Sequence, residues 1–410
     1  MRTILHCDLN SFFASVEIRL HPELKGKAVA VCGSVEERHG IVLAKSDLAK
    51  AYGVTTGEAV WEAQRKCPDL IIAPPRFDEY MKFSKMARGI YEKYTDMIEP
   101  FGMDECWLDV TGSLRLFGSG EAIAEEIRAR MKAETGLTVS IGVSFNKVFA
   151  KLGSDMKKPD AVTVIPESGF REILKNVPAS DMLGVGRRTA ETLRKYCIET
   201  IGELAAANPD FLERKLGKCG RYIWLSANGL DSSPVSEMNF TPPVKSIGHG
   251  TTCSADLEGN GAVRTVFIRL SQDIGCKLRS HGLFAEGVQI AVRDKFLCVQ
   301  QYQCRLPFPT QNFRDIYECA YELFVKSYDW HAHVRSLTVR AINLTDSAAP
   351  KQLNFNTDCA AIDKVSSAES AMEGIRKKYG RDSVELACLL ADVPLPKKLH
   401  PNTFPNAVGE

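Results

Sequence analysis

The sequence predicts an α/β and α+β multidomain chain, on three observations. Short apolar runs alternate with helical spacings through residues 1–165, as an α/β layer structure requires. Residues 166–235 hold several short helical stretches and no strand pattern. Residues 244–345 mix strands with helices in an α+β pattern. The 410 residues leave room for several domains at roughly 100–200 residues each.

The elements follow in order. Ile4–Leu9 is a short apolar run, read as a strand. Phe12, Phe13, Val16 and Leu20 recur at helical spacing across Ser11–Leu20. Ala28–Cys32 and Ile41–Ala44 read as strands, ahead of a helical stretch that ends near Cys67-Pro68. Tyr80–Tyr94 reads as a helix, Ile98–Val110 as strands around a turn, and Ala122–Thr135 as a helix stopped by Gly136. Val139–Val143 is a strand, Asn146–Met156 a helix and Val162–Ile165 a strand. Pro234 and Pro242-Pro243 mark a linker. Beyond it come strands Gly287–Val292 and Leu337–Leu344 and helices Gly261–His281 and Asn312–Ser327. Residues 346–410 are a tail with one amphipathic helix near Ile362–Tyr379 and a Pro-rich end. There is no internal repeat.

Composition narrows the class. The chain is 44% hydrophobic and 25% charged, ordinary for a globular protein and wrong for a disordered chain or a fibre. No run approaches ~18 apolar residues, so no membrane span is expected. The start, MRTILHCDLN, lacks the apolar core of a signal peptide. Thirteen scattered cysteines with no C-x-x-C pair suggest free thiols in a reducing cytoplasm, not a zinc site or disulfide framework. Net charge is +1, and only residues 241–345 lean basic, with 12 basic and 9 acidic groups.

The sharpest local feature is Asp104-Glu105, set in an otherwise apolar run from Phe101 to Val110. The pair reads either as a turn or exposed edge, or as a divalent-cation site, since hard cations take carboxylate oxygens. Asp8, at the end of the first strand, has the same character. Carboxylates at the ends of neighbouring strands could converge on a metal pair ~3.5–4 Å apart. Lys157-Lys158-Pro159 reads as a solvated loop or as a phosphate contact. Leu183-Gly-Val-Gly-Arg-Arg-Thr-Ala190 fails as a dinucleotide fingerprint, because no strand precedes it. It reads as a hairpin between helices at ~179–182 and ~187–196. Gly184, Gly186, Arg187 and Arg188 would then offer a sequence-independent grip on a nucleic-acid backbone, or form a plain helix–helix turn. Gly217–Arg221 is a weaker version.

Taken together, Asp8-Leu-Asn-Ser-Phe-Phe-Ala-Ser-Val-Glu17, Gly102-Met-Asp-Glu-Cys-Trp-Leu-Asp109, Asn146-Lys-Val-Phe-Ala-Lys151 and Lys245-Ser-Ile-Gly-His-Gly250 resemble the Y-family DNA polymerases, of the bacterial polymerase IV type. Order and spacing match over residues ~1–345. The resemblance implies a right-hand polymerase: a ferredoxin-like palm (about 1–18 and 76–165), fingers inserted at about 19–75, a helical thumb at 166–235 with a helix-hairpin-helix, a linker at 236–243, an α+β little finger at 244–345, and the tail. It implies template-directed synthesis past damaged bases without proofreading, by a cytoplasmic monomer acting on primer-template DNA and deoxynucleoside triphosphates. Asp8, Asp104 and Glu105 would be catalytic and hold two Mg²⁺, with the Leu9 carbonyl as a further ligand. Phe12, Phe13, Lys50 and Lys158 would bind substrate, with Phe13 screening the sugar. Gly184, Gly186, Arg187, Arg188 and Lys245 would bind DNA. Gln352, Leu353 and Phe355 resemble a Gln-Leu-x-Leu-Phe peptide that docks on a sliding clamp, one apolar position short.

The chain departs from the family pattern in places. Asn10 stands where many members have Asp, and Gly102 where Ser is common. Asp47 and Lys50 replace a Tyr and an Arg that contact the triphosphate. Other readings remain a non-catalytic DNA-binding member of the fold and a two-metal nucleotide cyclase.

Overall fold

Six consecutive buried residues build β1 (Ile4–Leu9), the middle strand of a five-stranded sheet. In this computed structural model residues 2–34, 40–346 and 359–390 are described, and they divide into two units at Thr241/Pro242. In the first unit, β1 leads into α1 (Phe12–Leu20) and then a small sheet of β2 (Val29–Cys32), β3 (Val42–Lys45) and β4 (Ile71–Ala73), ordered β3-β2-β4. Between β3 and β4 lie α2 (Asp47–Ala51) and α3 (Val60–Lys66). This subdomain has its own core of Ala30, Val42, Ala49, Val54, Val60, Ala63 and Leu70.

The chain returns through α4 (Phe77–Tyr91), β5 (Ile98–Pro100) and β6 (Glu105–Asp109). A short α5 (Leu114–Phe117) precedes α6 (Gly120–Thr135), β7 (Val139–Ser144), α7 (Lys147–Met156) and β8 (Val162–Ile165). The sheet order is β5-β6-β1-β7-β8, with β1 antiparallel to both its neighbours. Caps match the sequence: the Ser119 hydroxyl accepts from the Ala122 amide, and Gly136 ends α6 at φ +76°.

Alternation along β1 decides what each face does. Leu5, Cys7 and Leu9, with Leu108, Val139 and Ile141, join Tyr80, Ile90, Ile123 and Met131 in one core. His6 and Asp8 have the other parity. Their register partners are Trp107 and Glu105 on β6 and Gly142 and Ser140 on β7. This second face is covered by α7. Gly142 permits that approach, because a Cβ there would lie 1.9 Å from the Ala150 carbonyl oxygen.

Residues 166–227 form α8 (Phe170–Leu174), α9 (Arg187–Arg194), α10 (Ile201–Ala206), α11 (Pro209–Leu216) and α12 (Lys218–Ala227). Their core includes Leu193, Leu204, Leu212 and Ile223, and continues into Phe149 and Leu152 of α7. The segment expected as a helix before the Gly-rich turn is a single 3₁₀ turn, Ala179–Asp181. Four residues between Pro178 and Leu183 leave no length for more.

The second unit has a four-stranded sheet, ordered β11-β10-β12-β9: β9 (Ser246–Leu257), β10 (Leu283–Asp294), β11 (Val299–Thr310) and β12 (Val334–Asp346). Two long helices, α13 (Asn260–Ser280) and α14 (Phe313–Ser327), cover one face over a core of Phe267, Leu270, Ile274, Ile290, Phe324 and Val339. α15 (Cys359–Tyr379) joins this unit through Glu369 and Glu373, whose carboxylates take Arg279 at 2.8 Å each. The sequence reading found β10 and β12 only in part and missed β9 and β11. The buried face of β9 carries Ile247, His249, Thr251 and Cys253, so polar residues sit where the pattern expects apolar ones.

Candidate active site

Asp8 and Glu105 are direct register partners, and the Leu9 amide donates to the Asp104 carbonyl at 3.0 Å. The strands bearing the three acids are therefore adjacent. Asp104 closes the bend before β6 and is half-buried, as is Glu105. From α7, Lys151 reaches them: its Nζ is 2.8 Å from Glu105 Oε2, 3.6 Å from Asp8 Oδ2 and 3.5 Å from Asp155 Oδ2. Lys158, just past α7, stands 2.8 Å from Asp8 Oδ2 and 2.8 Å from Asp155 Oδ1. Lys158 thus lies on an exposed loop with its ammonium turned onto the acid cluster.

Electrostatics sort these groups. Burial and the charges of Asp8 and Glu105 push the Asp104 carboxyl up to about 6. Burial also raises Asp8, against the pull of Lys158. For Glu105 burial is outweighed by His6 and Lys151, which hold its carboxyl low. Lys151 is itself buried, yet Glu105, Asp155 and Asp8 keep it above the usual lysine range. Burial lowers His6, so it stays neutral, with Nδ1 2.8 Å from Ser154 Oγ.

The donor set suits a hard divalent cation: the Asp8 and Glu105 carboxylates are paired across neighbouring strands, and Asp104 is close enough for its carboxyl to feel both charges. Among the described residues no three His, Cys, Asp or Glu side chains stand together as a ready-made cage. Two of the acids are instead turned onto lysine ammoniums, which a cation would displace.

Asn10 has a definite place beside this cluster. Its Nδ2 donates to Ser140 Oγ at 2.8 Å, and its Oδ1 accepts from the Asp160 amide at 2.9 Å. It ties the loop that carries Lys158 to the central sheet. Gly102 adopts φ +98°, a conformation in which a serine would be strained.

The adjacent aromatics of α1 diverge. Phe12 is buried in the core, so its ring is no open substrate surface, whereas Phe13 is partly exposed. The Phe13 ring stacks on Tyr80 with centroids 4.3 Å apart and planes at 13°. Tyr80 is pinned in turn: its hydroxyl donates to buried Glu17 at 2.7 Å, and Arg76 grips the same carboxylate. Asp47 on α2 accepts from the Ser11 hydroxyl at 3.5 Å, which brings the small subdomain over the start of α1. Lys50 is exposed on α2, and burial together with the Lys50 charge lowers Lys45.

At the Gly-rich turn, Gly184 has φ +91° and Gly186 caps α9. Arg187, 92% exposed, pairs with Glu191, and Arg188 is exposed beside it. In the second unit Lys245 is exposed just ahead of β9. The sheet face away from α13 and α14 is polar and basic, with Arg293, Arg305 and Arg340 among Gln289, Gln303 and Thr338. Arg340 donates to the Gln289 side chain at 3.1 Å. Gln352, Leu353 and Phe355 lie outside the described residues.

Sequence reasoning missed Lys151, Asp155, Tyr80 and this sheet face. A signal existed for the first two: Lys151, Asp155 and Lys158 recur at i, i+4 and i+7, one helical face. The alternation of Gln301, Gln303 and Arg305 was the signal for the face.

Comparison with known proteins agrees with this geometry. Residues 7–155 match the model of the impB/mucB/samB family, and residues 244–355 match that family's C-terminal domain. DNA polymerase IV of Acetivibrio thermocellus is 49% identical over 391 residues, covering 95% of this chain and 98% of the relative. DNA polymerase IV 1 of Halalkalibacterium halodurans is 38% identical over 93% of this chain and 92% of its own length. DNA polymerase IV 1 of Bacillus subtilis is 38% identical over 92% of this chain and 91% of its own length. A solved Y-family DNA polymerase chimera of Dbh and Dpo4 superposes with a TM-score of 0.74 at 24% identity, over 84% of this chain and 99% of the chimera. The likeness in fold supports the right-hand architecture of palm, fingers, thumb and little finger. The chain belongs to the impB/mucB/samB family, the Y-family DNA polymerases of the DNA polymerase IV type.

Proposed function

We propose that the chain extends a primer 3′ end by template-directed addition of deoxynucleotides past damaged bases, without proofreading. The carrying observation is the meeting of Asp8 and Glu105 with Lys151 and Lys158 on one face of the sheet, with the Asp104 carboxyl electrostatically coupled to both acids. We assign the palm to residues 1–18 and 76–165, the fingers to 19–75, the thumb to 166–235 and the little finger to 244–345.

Asp8, Asp104, Glu105 and the Leu9 carbonyl would hold two Mg²⁺. Those ions supply charge neutralisation for the attacking and leaving oxygens of an in-line displacement at the α-phosphate. The chain's own residues do the rest. Lys158 and Lys50 place positive charge against the triphosphate. Asn10 fixes the loop that carries Lys158. Phe13, backed by Tyr80, faces the nucleotide sugar. Position and charge neutralisation suffice for phosphoryl chemistry, and no strong general base is needed.

The hairpin at Gly184–Arg188, Lys245 and the basic sheet face of the second unit would grip the duplex backbone irrespective of sequence. The test is primer extension by the full chain on intact and lesion-bearing templates, with Mg²⁺ and each deoxynucleotide. Binding without extension would leave a DNA-binding member of the fold.

A further inference from the structure

Cys304 lies on β11, an edge strand, and Cys319 on α14, which packs against it. Their sulfurs are 2.9 Å apart, inside the usual contact distance of two unbonded sulfurs. Both thiols are half-buried and line a surface hollow of about 460 Å³ with Arg305, Glu318, Glu322 and Lys326. A disulfide needs its sulfurs at about 2.05 Å, so closure requires roughly 0.9 Å of movement, within the reach of side-chain rotation. Neither thiol belongs to the polymerase site: both face away from the open, basic side of the sheet.

We propose that Cys304 and Cys319 form an oxidation site that closes to an intramolecular disulfide with a small-molecule disulfide as oxidant. Burial and the neighbouring Cys304 sulfur raise the Cys319 thiol. The same steps balance from either sulfur; in one order the first thiolate is that of Cys304. It attacks the small disulfide, an S–S bond breaks, and one small thiolate leaves while a mixed disulfide forms on Cys304. Cys319 then gives up its proton to solvent and attacks the Cys304 sulfur, expelling the second small thiol. Two protein thiols are oxidised and one small disulfide is reduced to two thiols. The bond staples the edge strand to α14 across 15 residues.

The experiment incubates the full chain with oxidised glutathione, blocks remaining thiols, and digests without reductant. Expected is a cross-linked peptide whose fragmentation places the bond at Cys304–Cys319, not at exposed Cys298 on the same tryptic peptide. The oxidised protein should lose two alkylatable thiols and melt on the order of 5 °C higher in the second unit, because the unfolded chain is constrained. Cys319→Ser and Cys304→Ser should each lose the cross-link and hold glutathione on the remaining thiol, which has no partner to expel it. The proposal is overturned if both thiols remain alkylatable while exposed cysteines react, if Cys298 is the partner, or if the cross-link persists in either serine variant.

Discussion

Replacing Lys151 by Met removes one charge and keeps most of the aliphatic stem, so packing is nearly conserved. The Lys151 side chain is 15% exposed, and its ammonium is 2.8 Å from Glu105 Oε2. At an effective dielectric of about 20 that separation corresponds to an upper bound of about 6 kcal/mol. Desolvation offsets part of this, and breaking one side of a buried pair typically destabilises by about 3–5 kcal/mol. Glu105 retains some water, so about 3 kcal/mol is the working figure. For a unit of this size that is a fall in Tm of roughly 6–12 °C without divalent cation.

The pH dependence has a definite sign. In the parent chain Glu105 is held low, so its contribution is present above the unfolded carboxylate range and is lost as pH falls. Without Lys151 only His6 opposes burial, so the Glu105 carboxyl sits higher than in the parent. The stability it contributes above the unfolded carboxylate range is then smaller, so variant and parent differ most at neutral and higher pH and converge as pH falls. Added Mg²⁺ should recover stability in Lys151→Met by more than in the parent, since the cation takes over the lost compensation. The assay is thermal unfolding at pH 5 and 8, with and without Mg²⁺. An unchanged Tm at pH 8 in cation-free buffer would refute the reasoning.

Asp104→Asn should lower primer extension by at least about 10³-fold while DNA affinity, measured by anisotropy, stays within about threefold. In the cation-free protein Asp104 titrates at about 6, so Mn²⁺ affinity should fall as pH drops through 6 and level off above it; calorimetry at pH 5, 6 and 7.5 checks this. Phe13→Ala should retain deoxynucleotide incorporation and gain ribonucleotide incorporation, read as the ratio of kcat/KM values; an unchanged ratio in folded protein places the gate elsewhere. Leu353→Ala with Phe355→Ala should remove clamp-stimulated synthesis and spare basal extension, measured on primed circular templates with and without clamp.

The first unit was largely legible, because its strands are short apolar runs and its helices carry ordinary stop signals. β1 and α7 sit where the pattern places them, to within a residue or two. The second unit was harder. β9 buries His249 and Thr251 toward α13, and β11 exposes Gln301 and Gln303 on the other face, so polar residues mask a period of two. The acids were legible as costly residues in an apolar run. Their adjacency was not, because register between Asp8 and Glu105 is a property of strand order, which a single sequence does not carry.

The lysines explain how such a site folds at all. Three carboxylates on adjacent strand ends would repel one another, and burial would raise each. The chain answers from α7, which carries Lys151 and Asp155 on one face, and from the loop just past it, which carries Lys158. That face reaches the acids because Gly142 lets the helix lie close to the strands and Asn10 anchors the loop beyond it. The lysines then offset part of the cluster's negative charge without a metal, while burial still raises Asp8 and pushes Asp104 up to about 6. A cation held by these carboxylates would displace ammonium groups already in place. Under the proposed function, Lys151 and Lys158 freed in this way would be available to phosphate oxygens, and cation and triphosphate binding would be coupled through them.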